Sequence, residues 1–206
     1  MRKKSFFISV EGIDGAGKST HISFIQNFIE TKGFKVITTR EPGGTKVGEL
    51  IRNILLTADS MSNITELLLM FASRQELVSQ VIAPTLANGI CVISDRYIDA
   101  SIAYQGFGRD IGFDKLNKII SLLDPMLQTD LTILFDASID TCQTRLNKSR
   151  SKDRIEQEQI DFFAKIRNGY LYLANKEPNR IKVVSTEQDK LATEQQICYH
   201  LENLFG

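Results

Sequence analysis

The sequence of 206 residues has few of the residue types that build disulfide frameworks and metal centres. It has no tryptophan, three cysteines and two histidines. Cys91, Cys142 and Cys198 stand far apart and form no CxxC pair, so we expect reduced thiols packed in the core. His21 and His200 have no partners at the spacing of metal ligands, which argues against a zinc motif.

The chain also lacks net charge and any long apolar stretch. Lysines plus arginines and aspartates plus glutamates number 25 each, so the net basic surface that favours binding to duplex nucleic acid is missing. No run approaches the ~20 apolar residues of a membrane span. The run "FFISV" meets Glu11 and Gly12 too early for a secretory signal. We therefore expect a cytoplasmic protein with no nucleic-acid or membrane partner, although a local anion site stays possible.

Five short apolar runs are present instead, and they predict strands. They are rich in Val, Ile and Phe and barely alternate, which is typical of parallel strands covered on both faces. The runs lie at 6–10, 35–39, 90–95, 130–136 and 181–185. Segments with helical spacing separate them, so we predict an α/β doubly wound fold in a single domain over 1–206. The loops that follow the strands then meet at one edge of the sheet.

The C-terminal end of one predicted helix is not fixed by the sequence pattern. Apolar residues at helical spacing over 66–82 predict a long helix that either ends at Pro84 or continues to Gly89. Its apolar content fits a helix-on-helix interface or a place in the core equally well.

The segment "GIDGAGKS" at 12–19 matches the phosphate-binding pattern G-x-x-x-x-G-K-[ST]. Its glycines let successive backbone N–H groups point at a phosphate, and the helix that follows adds its positive N-terminal end. Lys18 is placed to reach the β- and γ-phosphates and Ser19 to ligate Mg²⁺. The predicted ATP-binding residues of this loop are Gly12, Ile13, Asp14, Gly15, Ala16, Gly17, Lys18, Ser19 and Thr20. The charge of Asp14 would repel ATP, which points to a second substrate.

The segment "VISDRY" at 92–97 ends a predicted buried strand in Asp95, the usual position of a carboxylate that organises Mg²⁺. Arg96 follows it and is suited to bridge two phosphates, or else pairs structurally with Asp95. No N-K-x-D motif of a GTPase is present.

Two further segments carry arginines. "TREPGGT" at 39–45 is either a tight turn or, with Arg52, a holder of an acceptor phosphate. The basic segment 145–158 is either a solvated loop or a closing lid, at about 145–156, that brings Arg150 or Arg154 onto the transferring phosphate.

Together, "EGIDGAGKST", "TREPGGT", "DRYIDASIAYQG" and "DRIEQE" resemble thymidylate kinase of the bacterial type over essentially the whole chain. The resemblance implies a P-loop NTPase-type fold with a short lid and a homodimer. It also implies transfer of the γ-phosphate of ATP to dTMP, with Mg²⁺, giving dTDP for dTTP synthesis. The "GxPGSGKGT" of adenylate kinases is absent.

The resemblance also implies roles for single residues. Asp14 would accept from the deoxyribose 3′-hydroxyl, Arg74 would donate to thymine O4, and Arg145 would lie against adenine. The implied dTMP-binding residues are Asp14, Arg52, Phe71, Arg74, Arg96, Ser101, Tyr104 and Gln105. The implied catalytic residues are Lys18, Asp95, Arg96, Arg150 and Arg154, and the metal would be held by Ser19 and Asp95.

Two departures from the family leave alternatives open. The family's thymine-stacking phenylalanine falls on Met70, with Phe71 one position later, and we expect Phe71 to stack. The P-loop arginine of some members is Gly15 here, so a lid arginine, Arg150 before Arg154, is expected instead. Another small-molecule P-loop kinase, or a nucleotide-dependent switch, stays as an alternative function.

Overall fold

The computed structural model describes residues 5–146 and 153–206. Within these ranges, five parallel strands form one sheet in the order β2-β3-β1-β4-β5. They are β1 (Phe7–Glu11), β2 (Val36–Arg40), β3 (Cys91–Asp95), β4 (Leu131–Asp136) and β5 (Ile181–Ser185). Each predicted strand is confirmed within one residue. The order places β1 in the centre, so the loop after it opens at the middle of the sheet edge.

The central strands are buried on both faces, as their apolar sequences predicted. In β1, Ile8 and Val10 pack into one core cluster with Ile133 of β4. Phe7 points to the other face and packs with Val92 and Leu77. Because successive side chains of a strand alternate, a run without alternation must be covered twice.

Helices cover both faces of the sheet. Within the described ranges they are α1 (Lys18–Thr31), α2 (Lys46–Thr57), α3 (Asn63–Leu77), α4 (Ala83–Ala87), α5 (Ile98–Ser101), α6 (Phe113–Ile120), α7 (Ile139–Leu146), α8 (Ile160–Lys176) and α9 (Lys190–Phe205). Side-chain oxygens cap four N-termini among the described helices: Thr45 for α2, Ser62 for α3, Ser138 for α7 and Asp189 for α9.

The helix predicted over 66–82 does not end at Pro84. Helix α3 runs through a π-helical turn, Val78–Ile82, directly into α4. Pro84 lies in the first turn of α4, directly after the π-helical turn. The helical path stops near Gly89, whose φ of 74° suits glycine.

A second π-helical segment, Ile102–Gly108, follows α5. Among the described residues, no helix combines the length and apolar character needed to cross a bilayer.

Candidate active site

The loop between β1 and α1 requires glycine at defined positions. Gly12 and Gly15 have φ of 134° and 83°, a region that favours glycine. A side chain at Gly12 would also meet the carbonyl of Phe135, and one at Gly15 would meet the carbonyl of Cys142 in α7. The P-loop position where some family members carry arginine is therefore closed here by α7.

Lys18 begins α1 and is buried against this loop. Its Nζ donates to the carbonyls of Gly12 and Ile13 at 2.9 and 3.0 Å, and it lies 3.8 Å from Asp14 Oδ1. Burial, with the nearby Arg96 guanidinium, lowers the pKa of Lys18. The lysine thus holds the loop in the curled form that presents its N–H groups.

Arg96 follows β3 in a strained backbone conformation, with φ of 72°. Its carbonyl accepts from Ser94 Oγ at 2.6 Å, and its N–H donates to the Val10 carbonyl at 3.0 Å. Its Nη2 donates to Asp14 Oδ1 at 2.7 Å, and its guanidinium lies 4.8 Å from the centre of the Tyr104 ring. The side chain is held next to the P-loop from several directions.

Asp14 is ionised in this setting. Burial alone would raise its pKa, but the Arg96 and Lys18 cations outweigh burial and lower the pKa to about 2. Tyr104 Oη also donates to its Oδ2 at 3.3 Å. A carboxylate in this position accepts hydrogen bonds at neutral pH.

Glu11, the last residue of β1, holds Arg96 in place through Tyr97 and Tyr170. Its carboxyl accepts from the Tyr97 N–H at 2.7 Å and from Tyr170 Oη at 2.8 Å. Arg96 Nη1 in turn donates to Tyr170 Oη at 3.3 Å. Burial, reinforced by Asp99, raises the pKa of Glu11 to about 8.

Two cavities meet at this point. The first, which we call the P-loop cavity, has a volume of about 610 Å³ and is lined by polar groups of the loop, including Lys18, Ser19, Thr20 and Arg145. The second, the inner cavity, has apolar walls that include Leu55, Met70, Ala100 and Tyr104. Five residues line both cavities: Asp14, Glu41, Arg52, Arg96 and Glu156.

Arg52 and Arg145 lie at the cavity walls. Arg52 of α2 donates through Nη1 to the Pro42 carbonyl at 2.9 Å. Arg145 of α7 donates to the Thr186 carbonyl at 2.7 Å and to the Gly15 carbonyl at 3.3 Å. Arg40 lines the P-loop cavity but is paired with Glu49 at 2.9 Å.

Arg74 is completely buried beside the inner cavity. Its Nε and Nη2 both donate to Glu41 Oε2, at 2.8 and 2.6 Å, and Nη2 also donates to the Tyr97 carbonyl. Its Nη1 donates to Ser101 Oγ at 3.0 Å. Four of the five N–H groups are engaged, and among the described residues the second N–H of Nη1 has no acceptor.

Met70, and not Phe71, lines the inner cavity. Phe71 is turned into a core cluster with Leu67, Leu116 and Ile120. Consecutive residues of a helix point about 100° apart, so only one of the two can face the cavity. The expectation that Phe71 stacks on a base is corrected in this respect: its ring lies 4.7 Å from the Arg74 guanidinium, behind the cavity wall.

The remaining candidates lie away from the cavity surface. Gln105 donates through Nε2 to Glu66 Oε1 at 3.0 Å. Arg154 donates to the Leu55 carbonyl at 2.9 Å and to Glu66 Oε2 at 2.7 Å, and it lines neither cavity. Arg150 lies outside the described residues.

The residues at the P-loop cavity fit a magnesium ion. Asp95 Oδ1 is buried and has no hydrogen-bond partner, and the Ser19 side chain lines the same cavity. The described part of the chain contains no cluster of three or more acidic, His or Cys side chains that could form a protein-only cage. Magnesium prefers few protein ligands completed by phosphate and water.

Sequence reasoning missed three carboxylates of this site: Glu11, Glu41 and Glu156. Glu41 Oε1 is buried with no hydrogen-bond partner among the described residues, and Glu156, at the end of the predicted lid, lines both cavities. All three stand within the quoted motifs "EGIDGAGKST", "TREPGGT" and "DRIEQE", but only the fold brings them together.

Comparisons with known proteins agree on one family. The thymidylate kinase family model matches residues 10–197. A thymidylate kinase of Methylobacillus flagellatus is 47% identical over 86% of this chain and 87% of its own length. One of Thiobacillus denitrificans is 44% identical over 96% of this chain and 97% of its own. The crystal structure of thymidylate kinase from Ehrlichia chaffeensis superimposes with a TM-score of 0.78 at 32% identity, covering 96% of this chain and 98% of that one.

Proposed function

The chain belongs to the thymidylate kinase family, and on that premise we propose that it transfers the γ-phosphoryl group of ATP to dTMP, giving ADP and dTDP. The observation that carries this proposal is the meeting of the two cavities at Arg96. The polar P-loop cavity suits a triphosphate, and the apolar wall of the inner cavity, at Leu55, Met70 and Ala100, suits a base. Arg96 and Arg52 line both, where the two phosphates would have to meet.

The donor nucleotide would be held by the P-loop. Residues 12–20 would supply N–H groups and the helix N-terminus to the phosphates, with Lys18 on the β- and γ-phosphates. Arg145 would lie against adenine. Mg²⁺ would be held by Ser19 and, through water, by Asp95, and it would neutralise charge on the transferring phosphoryl group.

The acceptor would occupy the inner cavity. Arg52 and Arg96 would bind its phosphate, Asp14 would accept from the 3′-hydroxyl, and Tyr104 would line the sugar. The remaining N–H of Arg74 Nη1 would donate to thymine O4, with Ser101 and Gln105 near the base. Met70 would cover the ring, as its place in the cavity wall supports.

Transfer would be in line, because the two cavities share Arg96 and would bring the two phosphates together there, so that no covalent enzyme intermediate is needed. Gly15 supplies no charge. We propose Arg150 as the arginine that meets the transferring phosphoryl group, in a single catalytic domain over 1–206 with a lid at about 145–156.

We further propose a cytoplasmic homodimer. An exposed apolar face supports the dimer: Val47, Leu50 and Ile54 of α2 lie beside Ile64 and Leu68 of α3, and their side chains are 42% to 69% exposed. Such a face in a compact protein is typical of an interaction surface.

The test is to incubate the protein with ATP, Mg²⁺ and dTMP and to quantify ADP and dTDP. We expect equal amounts of both products. Lys18→Ala should reduce kcat/KM by at least ~10²–10³-fold, the usual loss for one electrostatic donor. Lys32→Ala, which removes a lysine paired with Glu202 near the C-terminal end of α1, is the matched control and should keep wild-type activity.

Two results would contradict the proposal. Release of ADP without dTDP would indicate a nucleotide-dependent switch. Transfer to another nucleoside monophosphate in preference to dTMP would indicate a different P-loop kinase. A Lys18→Ala protein with normal turnover and a normal melting temperature would remove the P-loop assignment itself.

A further inference from the structure

A cluster of four charged side chains lies behind the inner cavity and takes no part in the functions above. Glu66 of α3 is 2% exposed and receives two arginines. Arg109 donates to both of its carboxylate oxygens, at 3.2 and 3.1 Å, and Arg154 donates to Oε2 at 2.7 Å. Arg109 also meets Glu158 at 2.5 Å. We call these four residues the Glu66 cluster.

The cluster ties the segment 153–158 to α3 at two points. Arg154 reaches Glu66 directly, and Glu158 reaches it through Arg109. The Arg109 guanidinium is further packed 4.3 Å from the centre of the Phe162 ring. Two ties between the same elements restrict both translation and rotation of the segment.

The segment itself is stiffened by local hydrogen bonds. Asp153 Oδ1 accepts from the N–H groups of Ile155 and Glu156, both at 2.9 Å. Glu156 Oε2 accepts in return from the Asp153 N–H at 3.0 Å. This reciprocal pattern is that of a capping box, so the turn moves as one unit.

The same turn forms a wall of the inner cavity. Asp153, Ile155 and Glu156 line the cavity, and so do Leu55 and Leu56 at the end of α2. The Arg154 side chain does not line the cavity. Its Nε donates to the Leu55 carbonyl at 2.9 Å, which connects the 153–156 turn to the end of α2. Its guanidinium is therefore engaged on the outer side of the wall.

We propose that Arg154 and Glu66 are a positioning pair, which holds residues 153–156 as a wall of the inner cavity and thereby sets the affinity for the acceptor nucleotide without contacting the transferring phosphoryl group. This deepens the proposed function and rests on it. It also separates Arg154 from Arg150, which the sequence offered as the second and the first choice for the catalytic lid arginine. Glu66 also contacts a second residue of the proposed acceptor site, because its Oε1 accepts a hydrogen bond from the side-chain amide of Gln105.

The pair predicts a division between binding and turnover. Arg154→Ala releases one tie but leaves Glu66 paired with Arg109, so the fold keeps its buried ion pair. The KM and the Kd for dTMP should rise about tenfold, since partial loss of a buried charge pair weakens binding by about that much or more. The kcat at saturating dTMP, ATP and Mg²⁺ should stay within about twofold, because an interaction present equally in ground and transition states changes KM alone.

The experiment measures kcat and KM for both substrates, and the Kd for dTMP by calorimetry, in Arg154→Ala, Arg154→Lys and Glu66→Gln. Arg154→Lys keeps the positive charge but loses the planar guanidinium with its several N–H donors, so it should retain part of the dTMP affinity that Arg154→Ala loses. The double variant Arg154→Ala with Glu66→Gln should bind dTMP more tightly than the sum of the single effects predicts. Lys165→Ala removes an exposed cation paired with Asp110 at 2.6 Å and is the control, with wild-type constants expected.

Three outcomes would overturn the positioning role. A loss of kcat of about a hundredfold in Arg154→Ala with unchanged Kd would mean that Arg154 touches the reacting phosphate. Additive effects in the double variant, or an unchanged Kd with only a lower melting temperature, would mean that the pair does not act on the cavity. If Glu66→Gln does not fold, Arg154→Ala and Arg154→Lys decide the question alone. Failure of the wild type to make dTDP would refute the function instead, and the calorimetric comparison would still report on the pair.

Discussion

At the scale of single residues, Arg96 is the point on which the site depends, and its place is maintained by its neighbours. A left-handed backbone at a non-glycine residue costs free energy and persists only where its surroundings hold it. Two hydrogen bonds hold the backbone on either side of Arg96. Ser94 Oγ donates to the Arg96 carbonyl, and the N–H of Tyr97, the next residue, donates to the Glu11 carboxyl. Through Tyr170, Glu11 also supports the guanidinium itself. A buried carboxyl thus fixes the arginine that lines both cavities.

Glu11 should make the folding stability depend on pH. Its pKa rises from an ordinary value of 4.5 to about 8, chiefly through burial and also through Asp99. Between these two pH values the folded state keeps a proton that the unfolded state releases. The stabilisation is therefore complete below about pH 4.5 and is lost as the pH rises through about 8. Glu11→Gln, which is neutral throughout, should lose less stability than the wild type between about pH 5 and pH 9.

The measurement is urea unfolding of both proteins across that pH range. Each unit of pKa corresponds to about 1.4 kcal/mol, so the two free-energy profiles should diverge by a few kcal/mol. Arg96, Tyr97, Tyr170 and Asp99 face Glu11 in both proteins, so their own contributions largely cancel. Parallel profiles would show that Glu11 has an ordinary pKa in the folded state.

Much of the site at this scale was readable from the sequence. Lys18, Ser19, Asp95 and Arg96 stand in motifs whose spacing follows from the geometry of phosphate binding. The order of residues along the chain therefore indicates which side chains lie near one another. Glu41 was not readable in the same way, because its role depends on pairing with Arg74, 33 positions away. Spacing along the chain carries no signal for such a contact.

At the scale of elements, the rotation of α3 determines which of two adjacent side chains lines the inner cavity. Met70 faces the inner cavity together with Leu55, while Phe71 packs with α6 residues such as Leu116 and Ile120. The sequence could not choose between the two because both are apolar and adjacent. The rotation of α3 is set by its packing against α2 and α6, which is a tertiary effect.

Substitutions at the two positions should therefore have different consequences. Phe71→Ala should lower the free energy of unfolding by about 3–5 kcal/mol, as large core truncations do, and leave the order of preferred acceptors unchanged. Met70→Ala should raise the KM for dTMP with a smaller loss of stability. Chemical denaturation and steady-state kinetics on both variants check this. A Phe71→Ala protein of normal stability and weakened dTMP binding would reverse the assignment.

The sheet was predictable at this scale for a simple reason. A strand covered on both faces needs an unbroken apolar run, and each run in this chain sits between segments of helical spacing. The π-helical turns at Val78–Ile82 and Ile102–Gly108 left no such signature. A π-helix differs from an α-helix by one residue in the spacing of its hydrogen bonds, and periodicity over short segments does not resolve that difference.

At the scale of the whole molecule, the exposed apolar face of α2 and α3 lies close to the inner cavity. Leu50 and Leu68 are 69% and 52% exposed, whereas Ile51, Leu55 and Met70 on the inner side are buried. The same two helices therefore present one apolar side to the cavity region and another to solvent. A second copy of the chain that covers the outer side would stabilise the walls of the site.

The proposed dimer can be tested by placing charge on that face. Leu50→Glu combined with Leu68→Glu should convert a dimer of twice the chain mass into a monomer, because a buried unpaired carboxylate is costly at an apolar interface. Leu191→Glu, on α9 and 65% exposed, is the matched control and should leave the mass unchanged. Light scattering after size exclusion measures both. A wild type that is monomeric at all concentrations would refute the dimer.

Phosphorylation of dTMP is best tested by the kcat/KM of the wild type for dTMP, dUMP and dCMP at saturating ATP and Mg²⁺. Loss of one methyl group in an apolar pocket costs roughly 1–3 kcal/mol, so dUMP should be about 10–200-fold poorer than dTMP. Cytosine carries an amino group where thymine has O4, so two hydrogen-bond donors, this amino group and the N–H of Arg74, would face each other. Each buried donor left without an acceptor costs about 1–3 kcal/mol, so dCMP should be a poorer substrate than dUMP. Glu41 holds Arg74 in place, which prevents the guanidinium from turning away. We expect the order dTMP, dUMP, dCMP, and use of dCMP as readily as dTMP would refute dTMP as the acceptor.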